Sequence, residues 1–177
     1  PAPTCTNVPA IACFDSEHPP GDEVIARVSA AIQQYQDRYN LSGAQWGTIG
    51  TPTTVTWSFV PDGLFIDADA SVGDVGANSN LFAQMDAKFG GIANRAIWIA
   101  QFQACFDRWA AVTGTTYIRV NNGGNPWDDG AAFNTSAGAA GLRGEIRIGG
   151  QNIEGASGGL AYNQFPPNGD MIIDTSE

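Results

Sequence analysis

Basic charge is scarce in this chain. Among 177 residues there is one lysine, Lys88, and eight basic residues face 18 acidic ones, a net charge of −10. A surface for nucleic acid or anionic lipid needs clustered lysine and arginine, so composition excludes both partner classes. Charged residues of either sign make up 15% of the chain, well under the ~25% of an average domain. Histidine is scarcer still, with His18 alone between Glu17 and Pro19. It reads as a surface histidine, and a multi-histidine metal site within these residues is excluded. No HExxH, GxSxG or phosphate-loop motif occurs. No apolar run approaches the ~20 residues of a membrane span. No signal-peptide pattern opens the chain, which therefore reads as a processed form.

Cysteine is nearly absent too: Cys5, Cys13 and Cys105. A Cys5–Cys13 bridge with Cys105 buried and reduced would suit an exported protein, and three free thiols fit the sequence equally. What the chain does contain is 43% hydrophobic and 10% aromatic residues, with 22 glycines and 10 prolines. That is a folded, loop-rich chain, long enough to bury a core as one domain without metal or disulfide staples. The acidic excess suits an extracellular or cell-surface protein, through solubility alone or through carboxylates that hold a cation.

Residues 1–21 read as an extended, proline-rich arm. Asp22 can cap a helix in which Ile25, Val28, Ile32, Tyr35 and Tyr39 recur at helical spacing, ending near Asn40. Thr54–Val60 reads as a strand closed by the turn Pro61-Asp62-Gly63. Residues 64–91 read as a long surface loop with one helical turn near Leu81–Met85. Within it Asp67, Asp69 and Ser71 read as an acidic turn, because the glycine and glutamate of a calcium-binding EF-hand are missing. Ile92–Thr113 is the strongest helix, with Ile99, Phe102, Cys105, Phe106 and Trp109 as its apolar stripe and Gly114 as its cap. Strands follow at Thr115–Val120, Glu145–Ile148, from Leu160, and at Met171–Asp174.

The stretch from Gly144 to Glu177 concentrates carboxylates around glycine-rich turns. Calcium takes six to eight oxygens, from carboxylates and from carbonyls that a tight turn points inward. Gly155, Gly158 and Gly159 make such a turn sterically accessible.

Glu154-Gly155-Ala156-Ser157-Gly158-Gly159-Leu160-Ala161-Tyr162-Asn163-Gln164-Phe165 resembles the D-G-x-G-x-x-L-A-H-A-F turn of the matrixins, the branch of metzincin zinc metalloproteases that holds the matrix metalloproteinases and their bacterial relatives. Gly169-Asp170-Met171-Ile172-Ile173-Asp174-Thr175-Ser176-Glu177 is similar to that family's G-D-x-H-F-D-x-x-E. Upstream, Ala104–Trp109 with Val112–Tyr117 resembles A-x-x-x-W-x-x-V-T-x-L-T-F, and Gly144–Ile148 sits where the family has A-D-I-x-I. The match covers residues 51–177, and the arm and helix of residues 1–50 fall outside it.

The resemblance implies an α+β fold: the zincin-like upper subdomain, a twisted mixed sheet with an antiparallel edge strand packed on two helices. It implies calcium ligands at Glu154, Asp174 and Glu177, with carbonyls from Gly155, Ser157 and Gly159. It implies a weaker second pair at Glu145 and Asp170. Leu160, Ala161 and Tyr162 inherit the role of the strand that holds peptide substrate by edge pairing. Tyr162 and Ile172 replace two histidines of the family's structural zinc, and the loop before Glu154 is too short for its His-x-Asp pair, so no structural zinc is expected. The family's catalytic HExxHxxGxxH follows D-x-x-E, beyond Glu177, so zinc is expected only in a longer form. Two readings follow. One is the N-terminal portion of a secreted, calcium-stabilised zinc endopeptidase, inactive alone. The other is a non-catalytic calcium-binding module that self-associates through its edge strand.

Overall fold

The computed structural model describes residues 4–5, 13–14, 22–23, 26–27, 45–48, 51–134, 141–153 and 159–176. The chain separates into two compact units, Pro1–Gly43 and Ala44–Glu177. In the first, β1 (Thr4–Cys5) and β2 (Cys13–Phe14) pair antiparallel, with Cys5 opposite Cys13. Asp22-Glu23 and Ala26-Arg27 are helical. The rest of the expected helix up to Asn40 lies outside the described residues.

The second unit is built on β3 (Thr54–Phe59), β6 (Thr116–Arg119), β7 (Ile146–Gln151), β8 (Ala161–Asn163) and β9 (Met171–Asp174). They form a five-stranded sheet in the order β6-β3-β7-β9-β8. All neighbours are parallel except β8, which pairs antiparallel with β9 at one edge. The fold is thus mixed α and β, with a mostly parallel sheet and an antiparallel edge strand.

Residues 64–91 are more ordered than their glycine- and aspartate-rich sequence suggests. They hold a small hairpin, β4 (Phe65–Ile66) with β5 (Ala77–Asn78), and a two-turn helix, α1 (Leu81–Lys88). The helix start is capped from a distance. Asp62, on the turn after β3, accepts the Phe82 and Ala83 amides at 2.9 and 2.8 Å. A carboxylate there satisfies two orphan donors and complements the helix dipole.

A short 3-10 turn (Ile92–Asn94) leads into α2 (Arg95–Thr113), which ends at Gly114 in the left-handed conformation, φ +70°. The expected apolar stripe is narrower than its sequence spacing suggests. Trp98 is fully buried, Ile99, Phe102 and Phe106 pack partly on the core, and Trp109 remains 62% exposed. Cys105 is exposed, not buried. Both border an open cleft of about 480 Å³ between α2 and the sheet, floored by Phe106, Ile146, Ile148 and Met171.

Strand alternation gives the sheet two unlike faces. Val55, Trp57, Phe59, Ile146 and Ile148 meet Leu81, Phe82 and Trp98 of the helices. Phe59 is the hub, with the rings of Trp57, Phe82, Trp98 and Phe102 at 5.4, 5.6, 5.4 and 5.0 Å, all edge-on. The opposite face carries Ile172 with Val60, Ile66, Phe133 and Ile153, under loops. In the middle strand the layers come close. A Cβ on Gly149 would meet Ile66 Cδ1 at 2.6 Å, and one on Gly150 would meet Thr175 Cγ2 at 2.8 Å and Leu81 Cδ1 at 3.0 Å.

Candidate functional site: the edge strand and the carboxylates beneath it

β8 is the last strand of the sheet and bonds only to β9 among the described strands. Its outer main-chain groups are those an extended peptide would use. Leu160, just before it, is 70% exposed, and Phe165, just after it, is 71% exposed. Ala161 is exposed and Tyr162 half-buried. The Leu160 carbonyl accepts from the Asp174 amide at 2.9 Å.

Tyr162 turns to the loop-covered face, where its hydroxyl donates to Asp74 Oδ2 at 2.7 Å. Burial and then the Asp74 carboxylate push the phenol far above its ordinary range. Gln151 Nε2 donates to the same oxygen at 2.5 Å, while its Oε1 accepts from the Ala77 amide at 2.7 Å. The Gly76 amide completes the set, donating to Asp74 Oδ1 at 2.8 Å. One buried carboxylate thereby ties the 67–76 loop, the end of β7 and the edge strand together.

Asp174 lies on the same face, 5% exposed. Its Oδ1 accepts from the Ser176 amide and hydroxyl, each at 2.7 Å. Its Oδ2 is enclosed without a hydrogen-bond donor among the described residues. A buried carboxylate oxygen left so costs about 1–3 kcal/mol or more unless a donor or a cation satisfies it. Of the main expected calcium carboxylates, Asp174 is the one among the described residues, and this oxygen fits a hard cation. Gly159 is exposed, immediately before Leu160. Glu154, Gly155, Ser157 and Glu177 lie outside the described residues. Among the described residues no three histidine, cysteine or acidic side chains gather as a metal cluster.

The weaker pair expected at Glu145 and Asp170 is engaged elsewhere. Glu145 Oε2 accepts from the Thr56 amide and hydroxyl at 2.8 and 3.3 Å. Asp170 accepts the Arg147 amide on Oδ1 at 2.9 Å and the Asn134 amide on Oδ2 at 3.2 Å. Burial raises its carboxyl to about 6 in spite of those bonds. In the 67–71 turn Asp69 binds the Ser71 amide and hydroxyl, and these bonds lower its pKa.

Beside Asp170 lies an ion pair that sequence reasoning missed. Arg147 and Asp128 are fully buried, with Nε to Oδ2 at 2.8 Å and Nη2 to Oδ1 at 3.1 Å. The remaining guanidinium donors reach the carbonyls of Ala132 and Ala131 at 2.8 and 2.9 Å. Ser58 Oγ donates to Asp128 at 2.9 Å and accepts the Gly144 amide at 3.0 Å. The available signal was an arginine set between two isoleucines in a strand, in a chain with little basic charge.

No family model matches the chain, and no match was found among curated proteins or solved structures.

Proposed function

We propose that this chain is the N-terminal portion of a secreted, calcium-stabilised zinc metalloendopeptidase of matrixin type, with β8 as the strand that receives an extended peptide substrate. The observation that carries the reading is the open cleft beside α2. Phe106 and Met171 stand partly exposed there over the buried Ile146 and Ile148, and Asn163 of the edge strand lines the same cleft. With Trp109 62% exposed on its wall, the cleft offers a further helix following β9 an apolar surface to pack on. The strand order, with an antiparallel strand at one edge, is compatible with a zincin-like upper subdomain.

Calcium would be held by Asp174 Oδ2 together with the Glu154 and Glu177 carboxylates and the carbonyls of Gly155, Ser157 and Gly159. It would supply positive charge to a cluster of carboxylates and fix the glycine-rich turn against β9. Zinc does not fit the residues present. With one histidine in 177 residues, this chain lacks the ligands, and no catalytic step is assigned to it. Its own part is to bind and orient: β8 offers main-chain hydrogen bonds, and Tyr162, held by Asp74, sets that strand against the sheet.

The same cleft also favours a second reading, in which another copy covers it and the chain is a self-assembling calcium-binding module. The intact mass and activity of the natural mature protein separate the two. A longer species with chelator-sensitive endopeptidase activity supports the enzyme. A mature terminus at Glu177, an oligomer in solution and no peptidase activity overturn it. Calcium binding is tested apart from both: EDTA should lower the melting temperature, and Asp174→Ala should abolish that difference. Equal melting curves with and without EDTA would remove the calcium site.

A further inference from the structure

On the opposite side of α2 lies a second concavity, of about 530 Å³, between the first half of that helix and the loop after β6. Arg95 and Arg119 line it with the amides of Asn121 and Asn125, over a floor of Ile99 and Pro126. Among the described residues, no acidic side chain contributes to its wall. That is unusual in a chain where acidic residues outnumber basic ones 18 to 8.

The two arginines differ. Arg95 is neutralised by Asp86, through Nε at 3.2 Å to both carboxylate oxygens and through Nη2. Arg119 has no carboxylate partner among the described residues. Its Nη2 donates to the Pro126 carbonyl at 2.7 Å, and its Nε is buried without an acceptor among the described residues. Its guanidinium carbon lies 5.6 Å from the Trp57 ring centroid and 5.3 Å from that of Phe59, both rings fully buried. Desolvation lowers its pKa. The cation is thus fixed on an aromatic bed, partly stripped of water and without a counter-ion among the described residues. Such a guanidinium pairs with carboxylate through two parallel hydrogen bonds.

We propose that this cleft is a binding site for a carboxylate next to an aliphatic group, presented by a peptide's C-terminus or by an acidic side chain, with Arg119 as the anchor. The Nη1 and Nη2 end of Arg119 takes the carboxylate, the Asn121 and Asn125 side chains flank it, and Ile99 and Pro126 take the alkyl part. The site is independent of the edge strand and of calcium.

The test is a titration of the full chain followed by NMR at Arg119 Nε–Hε and the Asn125 side-chain amide. The probes are N-acetyl-leucine, N-acetylglutamic acid α-amide, and N-acetyl-leucine methyl ester as the uncharged control. One acid or both should give saturable shifts that weaken with salt, and the ester none. Tighter binding of N-acetyl-leucine identifies a chain terminus, and tighter binding of the glutamate derivative an acidic side chain. Arg119→Gln should weaken binding by about tenfold or more, the loss of a charge-assisted pair. Ala100→Glu, on the exposed helix wall of the cleft, should block it with the fold intact, even if Arg119→Gln unfolds. No saturable shift with either acid, equal binding of the ester, or unchanged affinity in folded Ala100→Glu overturns the proposal.

Discussion

One face of the five-stranded sheet is closed by rings, the other by loops tied down through carboxylates. On the helix side Phe59 gathers four aromatic neighbours, and none of those contacts requires a particular hydrogen-bond partner. On the loop side Asp74, Asp128 and Asp170 each hold several donors from distant segments. The two faces therefore fail in different ways. A ring cluster loses stability in proportion to volume removed and can leave a flank open for another element. A buried polar layer fails when one partner goes, because the survivor keeps its desolvation cost.

The loop side is most vulnerable at the buried ion pair. Asp128→Ala should cost about 3–5 kcal/mol in denaturant unfolding, since it strands the buried Arg147 charge. Adding Arg147→Met should recover most of it, and a double variant no better than the single would mean the pair is not the reason for the loss.

The next effect is acid–base. The Asp170 carboxyl stands at about 6 in the fold against an ordinary 3.8. Between those values the native chain holds more protons than the unfolded one, so stability falls as pH rises through the window, by roughly 3 kcal/mol in all. Asp86 and Asp129 have the opposite sign. Their carboxyls are held low, chiefly by Arg95 and Arg143, so their contribution is present above the ordinary value and disappears as pH drops below it. In EDTA, unfolding free energy should fall from pH 4.5 to 6.5, and Asp170→Asn should flatten that slope; parallel curves would remove Asp170 as its cause.

On the ring face, Phe82→Leu removes a ring packed on Phe59, Trp98 and Trp127 and should cost about 2 kcal/mol, nearly independent of salt. The smallest effect belongs to Tyr162→Phe, about 1 kcal/mol. It should also speed hydrogen exchange of the β8 amides, and protection equal to the parent would show that the Asp74 tie does not hold the edge.

Much of this scaffold was legible from side-chain pattern. Thr54–Phe59 and Met171–Asp174 are runs of β-branched and apolar residues, and both are strands. Gly114 after an apolar period marks the end of α2. The hairpin escaped, and α1 was legible only as a single turn near Leu81–Met85, because their order comes from outside: Asp62 caps α1, and Gln151 receives the Ala77 amide. Such ties between remote segments have no local pattern. The Asp128–Arg147 pair and the Asp74–Tyr162 bond escaped for the same reason, the latter spanning 88 residues. At the candidate site, motif spacing pointed to Asp174. Its enclosed, donorless oxygen is a property of the fold and could not be read from spacing.

The bare middle of β7 has a consequence for how this sequence can vary. Gly149 and Gly150 face opposite layers, and at each a single methyl group would meet a neighbour at 3.0 Å or less. The pair works as a spacer gauge, setting the thickness of the sandwich with main chain alone. A valine at either position would raise strand propensity and still weaken the molecule, since overpacking of this kind costs about 1–3 kcal/mol. Drift can trade rings for rings on one side and rebuild loops on the other, but both layers must keep clearing the same naked strand.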